Sequence, residues 1–193
     1  MKFKLPIMLV TLLLAACTTT GLPQQGGWPA ADDVGSFTAA GRLAVKVEEK
    51  GSYAHFDWTY QNKVQTINVN TPLGTTVGQL CQDAQGVLAV DGKGRIYQAD
   101  TAEELSTLLL GFELPVQHLY IWADGKRVAG APYQLLADGR LQQFGWTINR
   151  SVTEENKPRV LQLANDKLSV RLVFDEVDMQ PPYSAQNSCA ART

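Results

Sequence analysis

The side chains that could do chemistry are few in this 193-residue sequence: three cysteines, two histidines and a scatter of carboxylates. His55 and His118 lie far apart along the chain, and His55 falls on the polar side of an alternating stretch. That setting suits a surface imidazole better than a base or a metal ligand. Asp57 and Glu48 share the polar side, where solvated charge is the ordinary outcome. The sequence has no Gly-x-Ser-x-Gly, no His-Glu-x-x-His and no Cys-x-x-Cys, and Gly92-x-Gly94 lacks the third glycine of a phosphate-cradling loop. No catalytic residue, metal ligand or cofactor is expected, and nothing here asks for an enzyme.

Cys17 is the exception. Lys2 and Lys4 form a short positive region, an apolar run follows from Leu5 to Leu14, and Leu14-Ala15-Ala16-Cys17 closes it with small residues placed as a cleavage site requires. The run is too short to cross a bilayer as a helix, which takes about 20 apolar residues. Leu-Ala-Ala-Cys resembles a bacterial lipobox, in which the cysteine is acylated and becomes the first residue of the mature chain. Each buried methylene contributes about 0.8 kcal/mol, so two or more chains hold firmly where one holds reversibly. Thr18 stands where an aspartate would resemble an inner-membrane retention signal, so the expected address is the outer membrane, with the folded part facing the periplasm.

Removing residues 1–16 leaves 177 residues, enough for one domain with a proper core. It takes away two lysines and no acids, so 15 basic residues face 19 acidic ones, a formal charge of −4. A mildly acidic chain argues against a nucleic-acid partner. Cys81 and Cys189 could pair in an oxidising compartment. Cys189, however, lies in a polar tail near the end, and both thiols are expected to be free.

The elements that would position these residues follow from the hydrophobic period. Residues 17–36, rich in Thr, Gly, Pro and Gln, read as a lipidated flexible tether. From Phe37 the period is two: Leu43 and Val45, then Phe56 and Trp58, then Ile67 and Val69 fall on one side of successive antiparallel strands. Asp91-Gly92-Lys93-Gly94 supplies a hairpin turn. The period then becomes helical. Thr101-x-x-Glu104 is a capping box and Gly111 a stop signal, with Leu105, Leu108 and Leu109 on one face. Pro115 opens a second helix carrying Leu119 and Trp122. Strands resume, one of them running from Arg140 to Asn149 with Phe144, Trp146 and Ile148 alternating, and a last hairpin carries Leu172. Residues 180–193 look frayed. The order predicts one curved antiparallel sheet with a small helical cover. Pattern alone leaves open whether the sheet closes into a filled barrel or leaves a cavity beneath the helices.

Between two strands, Thr71-Pro72-Leu73-Gly74-Thr75 puts a leucine in a turn where a polar residue is usual. This segment, Tyr97-Gln98-Ala99-Asp100-x-Ala102-Glu103-Glu104, and Leu110-Gly111-x-Glu113-Leu114-Pro115 through Leu119-x-x-Trp122-x-x-Gly125 recur in an order and spacing that resemble the outer-membrane lipoprotein receptor family LolB. Phe56-Asp57-Trp58 precedes them and Gly145-Trp146 follows, so the likeness covers most of Phe37 to Val177 plus the lipobox. The tail beyond Met179 departs from it.

The resemblance implies an incomplete antiparallel β-barrel with an α-helical lid, enclosing an apolar cavity for acyl chains in a domain spanning residues 37–179. Its wall would be Leu43, Val45, Phe56, Trp58, Ile67, Val69, Phe144, Trp146 and Leu172. Its lid would be Leu105, Leu108, Leu109, Leu119 and Trp122. It further implies a monomer that accepts cargo lipoproteins from the periplasmic carrier LolA and places them in the inner leaflet of the outer membrane, with Pro72, Leu73 and Gly74 as a membrane-inserting loop. An envelope lipoprotein with a filled core, binding another protein or a soluble lipophile, is the alternative.

Overall fold

The computed structural model describes residues 27–192; the signal, Cys17 and most of the tether lie outside them. A two-residue strand, β1 (Ala30–Ala31), precedes a meander of six: β2 (Phe37–Val47), β3 (Lys50–Gln61), β4 (Val64–Asn70), β5 (Thr76–Asp83), β6 (Gly86–Asp91) and β7 (Ile96–Ala99). Two helices follow, α1 (Ala102–Leu110) and α2 (Leu119–Ala123), then β8 (Arg127–Val128), β9 (Tyr133–Leu135), β10 (Leu141–Gln143), β11 (Trp146–Val152), β12 (Pro158–Ala164) and β13 (Leu168–Asp178). Eleven strands form one sheet in the order β7-β6-β5-β4-β3-β2-β13-β12-β11-β10-β9, every pair antiparallel. The end strands β7 and β9 do not pair with each other, so the barrel is incomplete.

Alternation decides which face is buried. Phe56, Trp58 and Tyr60 are buried while His55, Asp57 and Thr59 between them are exposed. Their ring contacts run across β2 and β13: Phe37 meets Trp58 edge-on at 5.1 Å, and Phe56 meets Phe174 edge-on at 5.6 Å. From the far half of the sheet come Leu141, Ile148, Leu161, Leu163 and Leu172. Backbones approach closely at Gly41, where a Cβ would stand 2.1 Å from the Val173 carbonyl oxygen. Only glycine fits there, beside the point where the β2–β13 register slips between Phe174 and Glu176.

The lid forms for local reasons. Thr101 caps α1 by accepting from the Glu104 N–H at 3.2 Å, and Gly111 ends it at φ +81°. Pro115 leads into a 3-10 turn, Val116–His118, that passes directly into α2. Three bonds tie this segment to the sheet: Gln65 Nε2 donates to the Val116 carbonyl at 3.2 Å, Trp122 Nε1 to Gln143 Oε1 at 3.1 Å, and Arg150 Nε to the Ala123 carbonyl at 2.7 Å.

Three expectations are corrected here. Cys81 and Cys189 form a disulfide with Cα atoms 5.8 Å apart. The polar tail is correspondingly not frayed along its length: Gln61 Nε2 donates to the Pro182 carbonyl at 2.9 Å, Asn62 Nδ2 to the Ser184 carbonyl at 2.6 Å, and the Cys189 N–H to Asp83 Oδ2 at 2.8 Å. Leu80 packs against the main core, and Cys81, pointing the opposite way, meets Val64, Leu88 and Cys189 in a second small cluster. Tail and lid therefore cover opposite faces of the sheet. The described end of the tether, too, is tied down: Ala30 and Ala31 pair in parallel with Arg127 and Val128, Trp28 Nε1 donates to the Gly139 carbonyl at 3.1 Å, and the Tyr60 hydroxyl donates to Asp33.

Candidate functional site: the concave interior and the Leu73 turn

The interior is where the predicted wall and lid residues meet. Phe56, Trp58, Ile67, Leu105, Leu119, Trp122, Trp146 and Leu172 are all buried in one cluster, with Leu43 and Val45 partly buried against it and Val69 half-buried nearby in β4. The side chains of Phe56, Trp58, Leu105, Trp122, Ile148, Leu161 and Leu163 fill the concavity, so the apolar cavity implied by the resemblance is closed in this conformation. Of two clefts, one of about 590 Å3 is bordered by Trp28, Lys126 and Arg150, and one of about 470 Å3 by Tyr133 and by two of the predicted wall residues, Phe144 and Trp146.

Three assigned lining residues stand outside the closed interior. Leu108 is 68% exposed and Leu109 39% exposed, because the buried stripe of α1 runs through Ala102, Leu105 and Ser106. At about 100° per residue, Leu105 and Ser106 stand about 60° to one side and about 40° to the other of Ala102, whereas Leu108 stands about 120° away, beyond the edge of that stripe. Leu109 keeps closer to the stripe's direction but stands in the last turn of the helix. Phe144 is 47% exposed, since a hairpin interrupts the strand expected from Arg140 to Asn149. Phe144 and Gly145 take φ values of +52° and +76°, the conformation of a tight two-residue turn in which asparagine-glycine is usual. Leu141 and Gln143 point inward instead. The phenylalanine lies flat on His118 at 4.3 Å, and His118 tilts against Trp122 at 5.7 Å. Burial pushes the His118 imidazole down to about 4, so it is neutral at physiological pH.

Sequence reasoning passed over the role of His118 in this stack. It also passed over Gln143, whose amide is buried, accepts from Trp122 Nε1 and from the Val128 N–H at 3.0 Å, and donates to the Val128 carbonyl at 2.9 Å. Nothing local announces such a residue. A polar side chain on the inward row of a hairpin, two residues from a glycine turn, is the nearest signal.

The Leu73 turn stands apart from the core. The Thr71 N–H donates to the Thr75 carbonyl at 2.8 Å, the Gly74 N–H to the Thr71 carbonyl at 2.9 Å, and Gly74 takes φ +86°. Just below, Thr76 Oγ1 donates to Asn70 Oδ1 at 2.8 Å, and Asn70 Nδ2 donates to Asp57 at 2.6 Å. On this braced turn Leu73 is 95% exposed. A leucine held in water forgoes roughly 1.5–3 kcal/mol of burial. Among the described residues no helix is long and apolar enough to cross a membrane, and no group of three or more His, Cys, Asp or Glu gathers as a metal site would.

Together these features define an open antiparallel half-barrel that wraps a hydrocarbon-like interior under a short helical lid, with one leucine turned out to solvent. The family described as "Outer membrane lipoprotein LolB" matches residues 35–176, and the chain belongs to that family. It is 57% identical to the outer-membrane lipoprotein LolB of Neisseria meningitidis serogroup A, with 95% of each chain covered. It is 33% identical to that of Chromobacterium violaceum, covering 86% of this chain and 94% of the relative. A solved LolA superfamily protein from Nitrosomonas europaea aligns with a TM-score of 0.42 at 8% identity, over 83% of this chain and 88% of the other.

Proposed function

We propose that this protein is a lipid-anchored receptor of the outer membrane. In this reading Cys17 carries the anchor and the domain faces the periplasm. The domain takes lipoproteins from the carrier LolA by their acyl chains and releases them into the inner leaflet. The observation that carries the reading is the interior itself: aromatic and aliphatic side chains line a concave sheet whose cover is a short helical segment rather than further strands. Acyl chains would take the place of lid side chains against Phe56, Trp58, Ile67, Trp146 and Leu172 once the lid lifts. Leu43, Val45 and Val69 would extend that wall, and Leu105, Leu119 and Trp122 would move with the lid. Leu108, Leu109 and Phe144, already at the surface, would meet the chains as they enter.

Chains passing through water would lose about 0.8 kcal/mol for each methylene, so carrier and receptor must meet mouth to mouth. The transfer needs no nucleophile and no nucleotide, only a site that binds the chains more favourably than the last. Pro72, Leu73 and Gly74 would then dip into the leaflet, where burying the single leucine biases the contact without anchoring it. The test is reconstitution: labelled lipoprotein on its carrier, the full-length protein, and outer-membrane vesicles. Wild-type protein should move the label into the vesicles. Leu73→Glu should fold with a melting temperature within a few degrees of wild type, still strip the carrier, and deliver at least several-fold more slowly. Full delivery by a folded Leu73→Glu protein would remove the role of the turn, and absence of any transfer would sink the reading.

A further inference from the structure

Among the described residues, three buried side-chain polar atoms lack a hydrogen-bond partner: Trp58 Nε1, Gln65 Oε1 and Arg192 Nη2. Arg192 belongs to the convex-face tail and already donates from Nε to Asp83, and the Gln65 amide nitrogen donates to Gln82 and Val116. Trp58 differs from both. It is 1% exposed, its strand neighbours Phe56 and Tyr60 are buried beside it, and the rings of Phe37 and Phe174 flank it at 5.1 and 6.3 Å. An aromatic face is a far weaker acceptor than a carbonyl oxygen. An N–H taken out of water with nothing to receive it is unfavourable, and buried polar groups are almost always paired.

Elsewhere in the chain an indole N–H meets a protein acceptor. Trp122 donates to Gln143, itself held on both sides by the Val128 backbone, and Trp28 donates to the Gly139 carbonyl. A phenylalanine at 58 would fill much of the same space with no donor to leave stranded. The orphan is therefore explained by an acceptor that arrives from outside.

Resting on the acyl-acceptor reading above, we propose that the Trp58 indole N–H donates to the carbonyl oxygen at the head of an ester-linked acyl chain, making Trp58 a specificity-determining residue. Three properties of the site select that group. The acceptor must enter with hydrocarbon, because the buried side chains beside Trp58, among them Phe37, Ile67 and Phe174, are apolar. It must be neutral, because an unpaired carboxylate or phosphate among these rings would be strongly disfavoured. It must also be an acceptor without a donor that would itself be stranded, which an ester oxygen satisfies. A bare alkane offers nothing to Nε1, and an ether oxygen offers a poorer acceptor than a carbonyl.

The experiment uses full-length protein in alkyl maltoside micelles, a detergent without carbonyl groups. Two glycerolipids of equal chain length are titrated in, one a di-ester and one its di-ether. Wild-type protein should favour the di-ester roughly threefold to tenfold, the range of one neutral hydrogen bond. Trp58→Phe should abolish that preference, bringing the ratio of di-ester to di-ether affinity to within about twofold of unity whatever it does to the two affinities together. In protein carrying 15N-labelled indoles, the Trp58 resonance, identified by its loss in Trp58→Phe, should move on adding the di-ester and not the di-ether. The labelled wild-type measurement decides the matter if the variant folds poorly. Equal affinity for the two lipids with an unmoved Trp58 resonance would overturn this inference and leave the acceptor reading standing. Binding of neither lipid would overturn the acceptor reading, and this inference with it.

Discussion

The lid across the concave face and the tail across the convex face meet the same sheet, yet different bonds hold them. The lid rests on side-chain packing and on three side-chain bonds, from Gln65, Trp122 and Arg150. The tail has a covalent link at Cys81–Cys189, a carboxylate that receives both the Cys189 N–H and Arg192, and side-chain bonds from Gln61 and Asn62 to its backbone. Packing against an apolar face is non-directional, and hydrocarbon from elsewhere can replace it nearly one for one. A disulfide and a buried ion pair have no such substitute. The contrast is between an outer face fixed by a covalent link and an inner face held by packing, the face that exchanges partners in the proposed function.

The contrast can be broken most forcefully at the tail. Replacing Cys81 and Cys189 with alanine opens a loop with a sequence separation of 108, a loss of about 4–5 kcal/mol in the chain-entropy account. Thermal unfolding should show it, while the delivery of a variant that remains folded should match wild type. A variant that folds but fails to transfer would mean that the outer face takes part in exchange. Leu105→Ala comes next, at about 2–4 kcal/mol for a leucine buried under the lid. Because the residue belongs to the exchanging face, this change should alter acyl-chain affinity as well as stability. An unchanged affinity would count against the lid's part in binding.

Acid should separate the two covers without any mutation. The His118 value of about 4 lies below the roughly 6.5 of an exposed imidazole. The unfolded chain therefore binds more protons between those values, and stability carried by the neutral ring falls as pH drops from about 6.5 toward 4. At Asp83, burial alone would raise the carboxyl's pKa. The N–H groups of Cys189 and Gln85 and the Arg192 guanidinium outweigh it and hold the value below the usual range. Its contribution is complete above about 4 and is lost only as pH falls further. Hydrogen exchange should accordingly show amides of 116–123 loosening in mild acid while that of Cys189 stays protected. Simultaneous loosening would erase the distinction. The smallest effect is expected from Asn62→Ala, which removes the exposed bonds to the Ser184 and Gln186 carbonyls and should cost about 0.5–1 kcal/mol.

How much of this was legible follows the range of the signals. Thr101 and Gly111 act within a turn of their own helix, and both ends of α1 fall where those residues put them. Phe56, Trp58 and Ile67 alternate with polar neighbours, so their inward direction could be read at once. The Leu73 turn showed itself by an apolar residue in polar company. The Cys81–Cys189 bond could not be read the same way, because the tail around Cys189 has no apolar period and its partners lie a hundred residues earlier. Phe144 misled for the opposite reason. Its alternation with Trp146 and Ile148 was genuine, but Gly145 next to it made a hairpin, and stacking on His118 holds an aromatic ring in a backbone conformation that local preference disfavours. The filled interior was beyond pattern altogether, since the same apolar residues suit a hollow or a core.

The central claim is that cargo acyl chains lie against the concave face. Lipoprotein whose acyl chains carry a photoreactive diazirine should be handed to the full-length protein from its carrier, irradiated, and the cross-linked residues mapped by mass spectrometry. Adducts concentrated on Phe56, Trp58, Leu105 and Trp122 are the result this account predicts. Adducts confined to the convex face or to the exposed turns, with those four unmarked, would contradict it.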